Sequence, residues 1–231
     1  MLTDFFSFIV SKIKKEKFEL DNNLQTTYLL LFLFSKSMSY LRFMFKFRTF
    51  KLGFIGRRSS IFASNLITYK KNLTISDDCH IDALSKAGIK FGNNVSIQKR
   101  VVIECSGTLK KIGKGLIVGD NVGIGSSSFL GCAGGIEIGD DCILGNFVSF
   151  HSENHNFDKS DMPIRLQGVN HKGIKIGKDC WIGAKVTVLD GTILGDGCVV
   201  AAGAVLNGKE YPPYSIIAGV PARVIKSRIL K

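Results

Sequence analysis

The sequence predicts an all-β fold, a parallel β-helix preceded by an N-terminal helical region, and three observations carry that prediction. First, from Ile174 to Leu206 large aliphatic residues recur every six positions, at Ile176, Ile182, Val188, Leu194, Val200 and Leu206. Second, a smaller or β-branched series keeps step with them, at Ile174, Cys180, Val186, Thr192, Cys198 and Ala204. Third, Gly or Ala follows most of the large residues, at Gly177, Gly183, Gly195 and Ala201. A helix requires apolar recurrence near 3.6 residues, and a flat strand strict alternation over a short run. A six-residue period instead describes short straight pieces joined by corners, with the same two positions facing inward on each piece.

The repeat extends upstream in the same phase. Val118, Ile124 and Leu130 are each followed by Gly, and Ile138, Leu144 and Phe150 continue the series. Phe91, Ile97 and Ile103 keep the spacing, and Ile75 and Ile81 begin it. Three hexads make one triangular turn, so the stretch from Leu73 to Leu206 supplies roughly seven turns once loops are allowed for. The expected organisation is a basic and aromatic region over residues 1–72, the β-helix over 73–215, and a C-terminal segment with a short helix over 216–231.

Composition fits a chain of 231 residues with one substantial core and an appendage. Four of the six cysteines (Cys79, Cys142, Cys180 and Cys198) fall at inward small positions, where the thiol serves as a compact apolar group. None forms a CxxC pair, so neither a zinc site nor a disulfide framework is expected, and a reducing cytoplasmic setting is.

Residues 1–72 hold thirteen Lys or Arg against four Asp or Glu, and so carry +9 of the net +12. Tyr28 to Phe34 is strongly apolar but far shorter than the roughly twenty residues of a spanning helix. Between Tyr40 and Arg58, Phe43, Phe45, Phe47, Phe50 and Phe54 interleave with Arg42, Lys46, Arg48, Lys51, Arg57 and Arg58. Such a stretch suits peripheral contact with an anionic membrane face. Alternatively, Phe43, Phe47, Phe50 and Phe54 form one helical stripe packed on the first coil. No nucleic-acid motif accompanies the basic residues.

One interruption of the repeat carries chemistry. After Phe150 the pattern stops and resumes only at Ile174, and the excursion over 151–173 holds His151, His155 and His171. Long ordered loops on rigid scaffolds concentrate function. His151 directly follows an inward Phe150 and so faces outward, while His171 reads as a solvated loop residue.

Several segments together resemble the hexapeptide-repeat acyltransferases, nearest the galactoside, maltose and polysaccharide O-acetyltransferase branch. They are Ser152-Glu153-Asn154-His155, the run from Ile174 to Val188, Leu194-Gly195-Asp196, the run from Ala201 to Val205, and the ending from Ala218 to Ile225. The resemblance implies a left-handed β-helix, a homotrimer with its sites between subunits, and acetyl-CoA as acyl donor without a metal. It implies His155 as general base, since imidazole is the side chain poised to take a hydroxyl proton near neutral pH. Ala184, Ala202, Asn207, Gly208, Arg223 and Lys226 match positions that hold CoA, although Gly208 to Tyr211 contains an extra residue relative to the commoner pattern. Ser127 stands near the place of an acceptor-binding Asn in the galactoside-type enzymes, and with Asn154 and His151 completes the expected acceptor set. The expected reaction is acetylation of a sugar hydroxyl on a surface glycan or its lipid-linked precursor, by a cytoplasmic enzyme resting at the inner membrane face. The alternatives are N-acetylation of an amino-sugar nucleotide and acetylation of a small sugar or xenobiotic. Two rivals from other classes are a zinc enzyme using His80, His151 and His155, and a non-catalytic scaffold.

Overall fold

The six-residue period builds a triangular prism, seen in a computed structural model that describes residues 11, 12, 17, 19–21 and 23–229. Three parallel sheets form its faces, and successive strands visit the first, second and third face in turn. The second and third faces carry seven strands each, so the chain makes seven coils; the first face carries nine. The coils begin at Gly53, because Gly53–Ile55 pairs in parallel with Leu73–Ile75, so the boundary expected at Leu73 lies one coil too late.

Register explains the sequence pattern. On the third face Ile136 and Ile138 stack between Leu116 and Val118 above and Ile174 and Ile176 below, all inward and buried, with Glu137 pointing out. Continuous columns of branched aliphatic side chains thus form one core along the whole prism. All six cysteines are free and buried among them. Several of these thiols donate to a carbonyl one coil on, as from Cys142 Sγ to Gly177 O at 3.0 Å and Cys79 Sγ to Gln98 O at 3.1 Å.

The corners are fastened by carboxylates. Asp120 accepts the Asn93 backbone N–H at 2.9 Å, and Asp140 accepts that of Asp120 at the same distance. Asp196 accepts the Lys178 N–H at 2.7 Å. Each acid sits where the glycine before the corner (Gly92, Gly119 and Gly177) leaves its Cβ position empty, which is why small residues follow the large ones.

The helix α1 (Thr26–Phe47) closes the N-terminal end of the prism. Phe43 is fully buried and fills the space that an inward side chain at Gly53 would take. It meets Phe47 and Tyr69 with ring centroids 4.8 and 5.2 Å away. Ser39 Oγ and Arg42 Nε donate to the Ile55 carbonyl at 2.6 and 2.8 Å. The expected four-residue aromatic stripe is therefore only two long. The helix stops at Phe47 where Arg48 turns left-handed, Phe50 is 87% exposed, and Phe54 belongs to the first strand. The part of the region over residues 1–10, 13–16, 18 and 22 lies outside the described residues.

No C-terminal helix forms among the described residues. Ser215–Gly219 and Ala222–Ser227 make an antiparallel hairpin on the edge of the first face, turning at a cis Val220–Pro221 bond. Ile216, Ile217, Val224 and Ile225 are β-branched, and an open sheet edge offers them backbone partners that a solvent-facing helix would lack.

Candidate active site

The excursion over 151–173 leaves the fifth coil at the corner between the second and third faces. Its root is bolted to the prism. Ser152 is fully buried, donates through Oγ to Gly131 O at 2.7 Å and accepts the Gly134 N–H at 2.9 Å. Asn154–His155 then pairs antiparallel with Val169–Asn170, which places His155 opposite Val169 on an exposed two-stranded hairpin. Asn170 Nδ2 donates to Asn156 Oδ1 at 2.5 Å, and Gln167 Nε2 donates to the carbonyls of Lys159 and Met162, both at 2.7 Å.

Asp190, one coil further on, holds both strands of the excursion. It is 5% exposed, and its carboxylate accepts the Gly173 N–H at 2.7 Å, the Lys172 N–H at 2.9 Å and Asn154 Nδ2 at 3.3 Å. Asn154 is thus tied to the scaffold immediately beside His155. Sequence reading missed Asp190; its only local signal is an Asp-Gly pair at a corner of the repeat. His171 is not the solvated residue expected. Its side chain is 18% exposed, with Nδ1 3.9 Å from Glu153 Oε2.

His151 projects from the outer surface of the second face, with Nε2 2.6 Å from Ser149 Oγ and its ring 5.5 Å from that of Phe129. Partial burial holds its pKa below the usual 6.5, so the neutral ring is favoured. Together with Glu104, Phe129, Ala133 and Glu153 it lines a recess of about 180 Å³ at the root of the loop. His80 stands on the same face but on the second coil, three coils from His151.

The other expected site residues divide into two groups. Ala184 and Ala202 are exposed at the corner between the first and second faces, one coil apart, where Gly203 N–H donates to Ala184 O at 2.9 Å. Arg223 pairs with Ala218 on the edge strand beyond them, and Lys226 lies further along that strand, opposite Ile216. Asn207 and Gly208 instead stand beneath the loop. Gly208 has a positive φ of 72° and abuts the Asp190 carbonyl, so no side chain fits there. Asn207 Oδ1 accepts the Tyr211 hydroxyl at 3.4 Å. Ser127 occupies the Ala184 corner, where its Oγ accepts Arg100 Nε at 3.2 Å. Within one chain the second face therefore separates Ser127, Ala184 and Ala202 from His155.

Comparison with known proteins follows this geometry. The family described as bacterial transferase hexapeptide (six repeats) matches residues 173–208, and the hexapeptide repeat of succinyl-transferase matches residues 115–148. An Escherichia coli protein, named as an O-acetyl transferase of lipopolysaccharide biosynthesis, is 32% identical over 168 residues, which are 69% of this chain and 81% of that protein. The chain belongs to the bacterial hexapeptide-repeat transferases. The hexapeptide repeats imply a left-handed β-helix. A Mycobacterium tuberculosis protein named as an acetyltransferase is 40% identical over 112 residues, which are 48% of this chain and only 37% of that protein. Among solved structures, a mutant of AntD, an N-acyltransferase from Bacillus cereus, superposes with a TM-score of 0.58 at 20% identity, covering 82% of this chain and 90% of that one. That likeness is one of fold.

Proposed function

We propose that this hexapeptide-repeat transferase is an acetyl-CoA-dependent O-acetyltransferase that esterifies a sugar hydroxyl of a surface glycan, such as capsule, O-antigen or exopolysaccharide, or of its lipid-linked precursor. The observation that carries this reading is the His155 hairpin, an exposed imidazole on a strand pinned to a rigid coil by Asp190. The acceptor class draws its support from the E. coli relative, whose name specifies O-acetyl transfer in lipopolysaccharide biosynthesis. An amino-sugar nucleotide is the runner-up acceptor.

In this mechanism neutral His155 accepts the proton of the acceptor hydroxyl as the oxygen attacks the thioester carbonyl carbon. A tetrahedral oxyanion forms and is met by a backbone N–H donor. Its collapse breaks the C–S bond, and the CoA sulfur takes the proton back from the imidazolium. The products are an acetyl ester and free CoA, and no covalent enzyme intermediate is needed. His151 is bonded within its own strand to Ser149, so it serves the acceptor recess with Glu104 and Glu153 rather than acting as the base.

Donor and base lie on opposite corners of the second face, so a complete site needs a neighbouring subunit, as in a homotrimer. One subunit then offers the small-residue ridge of Ala184 and Ala202 with Arg223 and Lys226, and the loop beside it supplies His155. The small side chains let the pantetheine arm approach the backbone, while the cations face the CoA phosphates. Acyl supply from CoA places the reaction on the cytoplasmic side.

The test is acetyl transfer from acetyl-CoA across candidate glycans and amino-sugar nucleotides, read by mass shift and by NMR position of the new ester or amide. His155→Ala should lower kcat by about 10²–10⁴-fold and leave acetyl-CoA binding intact. Near-normal turnover in that variant removes His155 from the role of base.

A further inference from the structure

The face of α1 that points away from the prism is apolar. Its inward residues are Leu29, Ser39 and Phe43. On the opposite side, at 3.6 residues per turn, run Leu31, Phe34, Met38, Leu41 and Phe45, which are 70, 64, 40, 40 and 75% exposed. Phe50, just beyond the helix, is 87% exposed as well. A monomer surface rarely carries so continuous an apolar strip without using it.

The charge around the stripe is predominantly positive. From Asn22 to Ser76 the chain contains no Asp or Glu and nine Lys or Arg. Beside the helix, Arg42, Lys46, Arg58 and Ser59 line a recess of about 200 Å³. Arg58 there holds Asp78 at 2.6 and 2.9 Å, and Arg42 gives its Nε to the Ile55 carbonyl. Arg42 and Lys46 bring two further cationic side chains to the lining. Such a recess suits a phosphate oxygen cluster.

We propose that α1 docks the enzyme on an anionic phospholipid surface, with the stripe from Leu31 to Phe45 entering the interface and the Arg42–Lys46 recess taking a lipid phosphate. Two observations select lipid over a second copy of this chain. A copy would bring two net-basic rims together, whereas anionic headgroups complement them. Just past the helix, an exposed Phe50 is flanked in sequence by Arg48 and Lys51, the mixture of rings and cations that suits headgroup depth. None of the described helices is long and apolar enough to cross a membrane, so the helix would lie in the interface plane.

This docking stands whichever acceptor the enzyme uses. Under the glycan reading, which it then deepens, it bears on reach. The loop leaves the fifth coil, and four coil steps of roughly 4.8 Å set it about 19 Å along the prism from the docked end. An acceptor sugar carried on a lipid anchor would be presented at that height.

The experiment is flotation of the full-length protein with phosphatidylcholine vesicles, with and without one quarter phosphatidylglycerol. Binding is expected only to the anionic vesicles and should fall by about tenfold or more between 0.05 and 0.5 M salt. The pair Phe34→Glu with Phe45→Glu should lower the bound fraction by about tenfold, as should Lys46→Glu with Lys51→Glu. Light scattering without lipid reads the rival occupant: if the Phe34/Phe45 variant changes oligomeric mass and not flotation, the stripe belongs to a second copy and the proposal falls. Equal flotation of wild type and both variants also overturns it. Should a variant misfold, Phe45→Cys carrying an environment-sensitive dye gives the answer, since its emission must shift to the blue on anionic vesicles and stay unmoved if the stripe remains in water. Loss of acetyl transfer with vesicle binding intact would count against the catalytic reading alone.

Discussion

Replacing Asp190 by alanine removes the group that ties the His155 hairpin to the prism. Its carboxylate accepts the backbone N–H of Gly173 at 2.7 Å and that of Lys172 at 2.9 Å, with Asn154 Nδ2 at 3.3 Å. Hydrogen bonds to a charged acceptor contribute about 1.5–3 kcal/mol each, so the two backbone bonds together represent about 3–6 kcal/mol if their donors were left dry. Lys172 is exposed and Gly173 half-buried, so water replaces part of the loss, and about 2–4 kcal/mol is the expected cost. It falls on the root of the loop rather than on the coils, because Asp190 bonds outward to the excursion. Local opening is the quantity to read. At about 1.4 kcal/mol per decade, amide hydrogen-exchange protection at Lys172 and Gly173 should drop about 30- to 1000-fold, with core amides such as Ile176 unchanged. Catalysis should suffer too, since displacement of a base by about 1 Å costs on the order of 100-fold. Asp190→Asn keeps one acceptor oxygen without the charge and should fall between. Protection and kcat both within threefold of wild type would show that the hairpin is held by other contacts and that Asp190 has no positioning role.

At the helix-capped end, Gly53→Ala drives a methyl group into the Phe43 ring, so stability should fall by about 1–3 kcal/mol. Pairing it with Phe43→Ala should give less than the sum of the two effects in urea unfolding, and strict additivity would place Phe43 elsewhere. On the donor ridge, Ala202→Phe should raise KM for acetyl-CoA by about tenfold with kcat little changed, the signature of lost uniform binding; an unaltered KM would move the pantetheine arm off this corner. Acid stability should depend on the corner carboxylates. The Asn93 backbone N–H, followed by its side chain, holds Asp120 below the usual 3.8, and the Asp120 backbone N–H, followed by Lys178, does the same for Asp140. Both groups therefore bind fewer protons folded than unfolded, so their stabilisation is present above pH 3.8 and fades as pH falls through and below it. The double change Asp120→Asn with Asp140→Asn should flatten the loss of urea midpoint between pH 6 and pH 3, and an unchanged slope would locate acid sensitivity elsewhere.

The prism was legible in the sequence because each hexad repeats a local requirement: one large inward residue, one small one, and a corner that tolerates no Cβ clash. Ile182 or Val188 announces its place without knowledge of any neighbour. His155 was legible for the opposite reason, as part of an excursion that the repeat does not need. The first coil was not. Ile55 and Ile61 keep the six-residue spacing, but two hexads embedded in basic and aromatic text carry too little of the pattern to announce a coil. It is the parallel pairing with the coil below that makes Gly53–Ile55 and Ser60–Phe62 strands. The C-terminal hairpin escaped notice on the same ground, since an open sheet edge outweighed local preference.

The amino-acid order by itself thus determined the period, the inward columns, the family likeness and the loop that bears the histidines. Tertiary structure decided what lies beside what. It placed Asp190 under the loop, set Ala184 and Ala202 across the second face from His155, half-buried His171, and turned one side of α1 onto Gly53 while leaving Leu31 to Phe45 outside. Those outcomes depend on residues 10 to 50 positions apart meeting through stacked coils, and no local pattern encodes such a meeting.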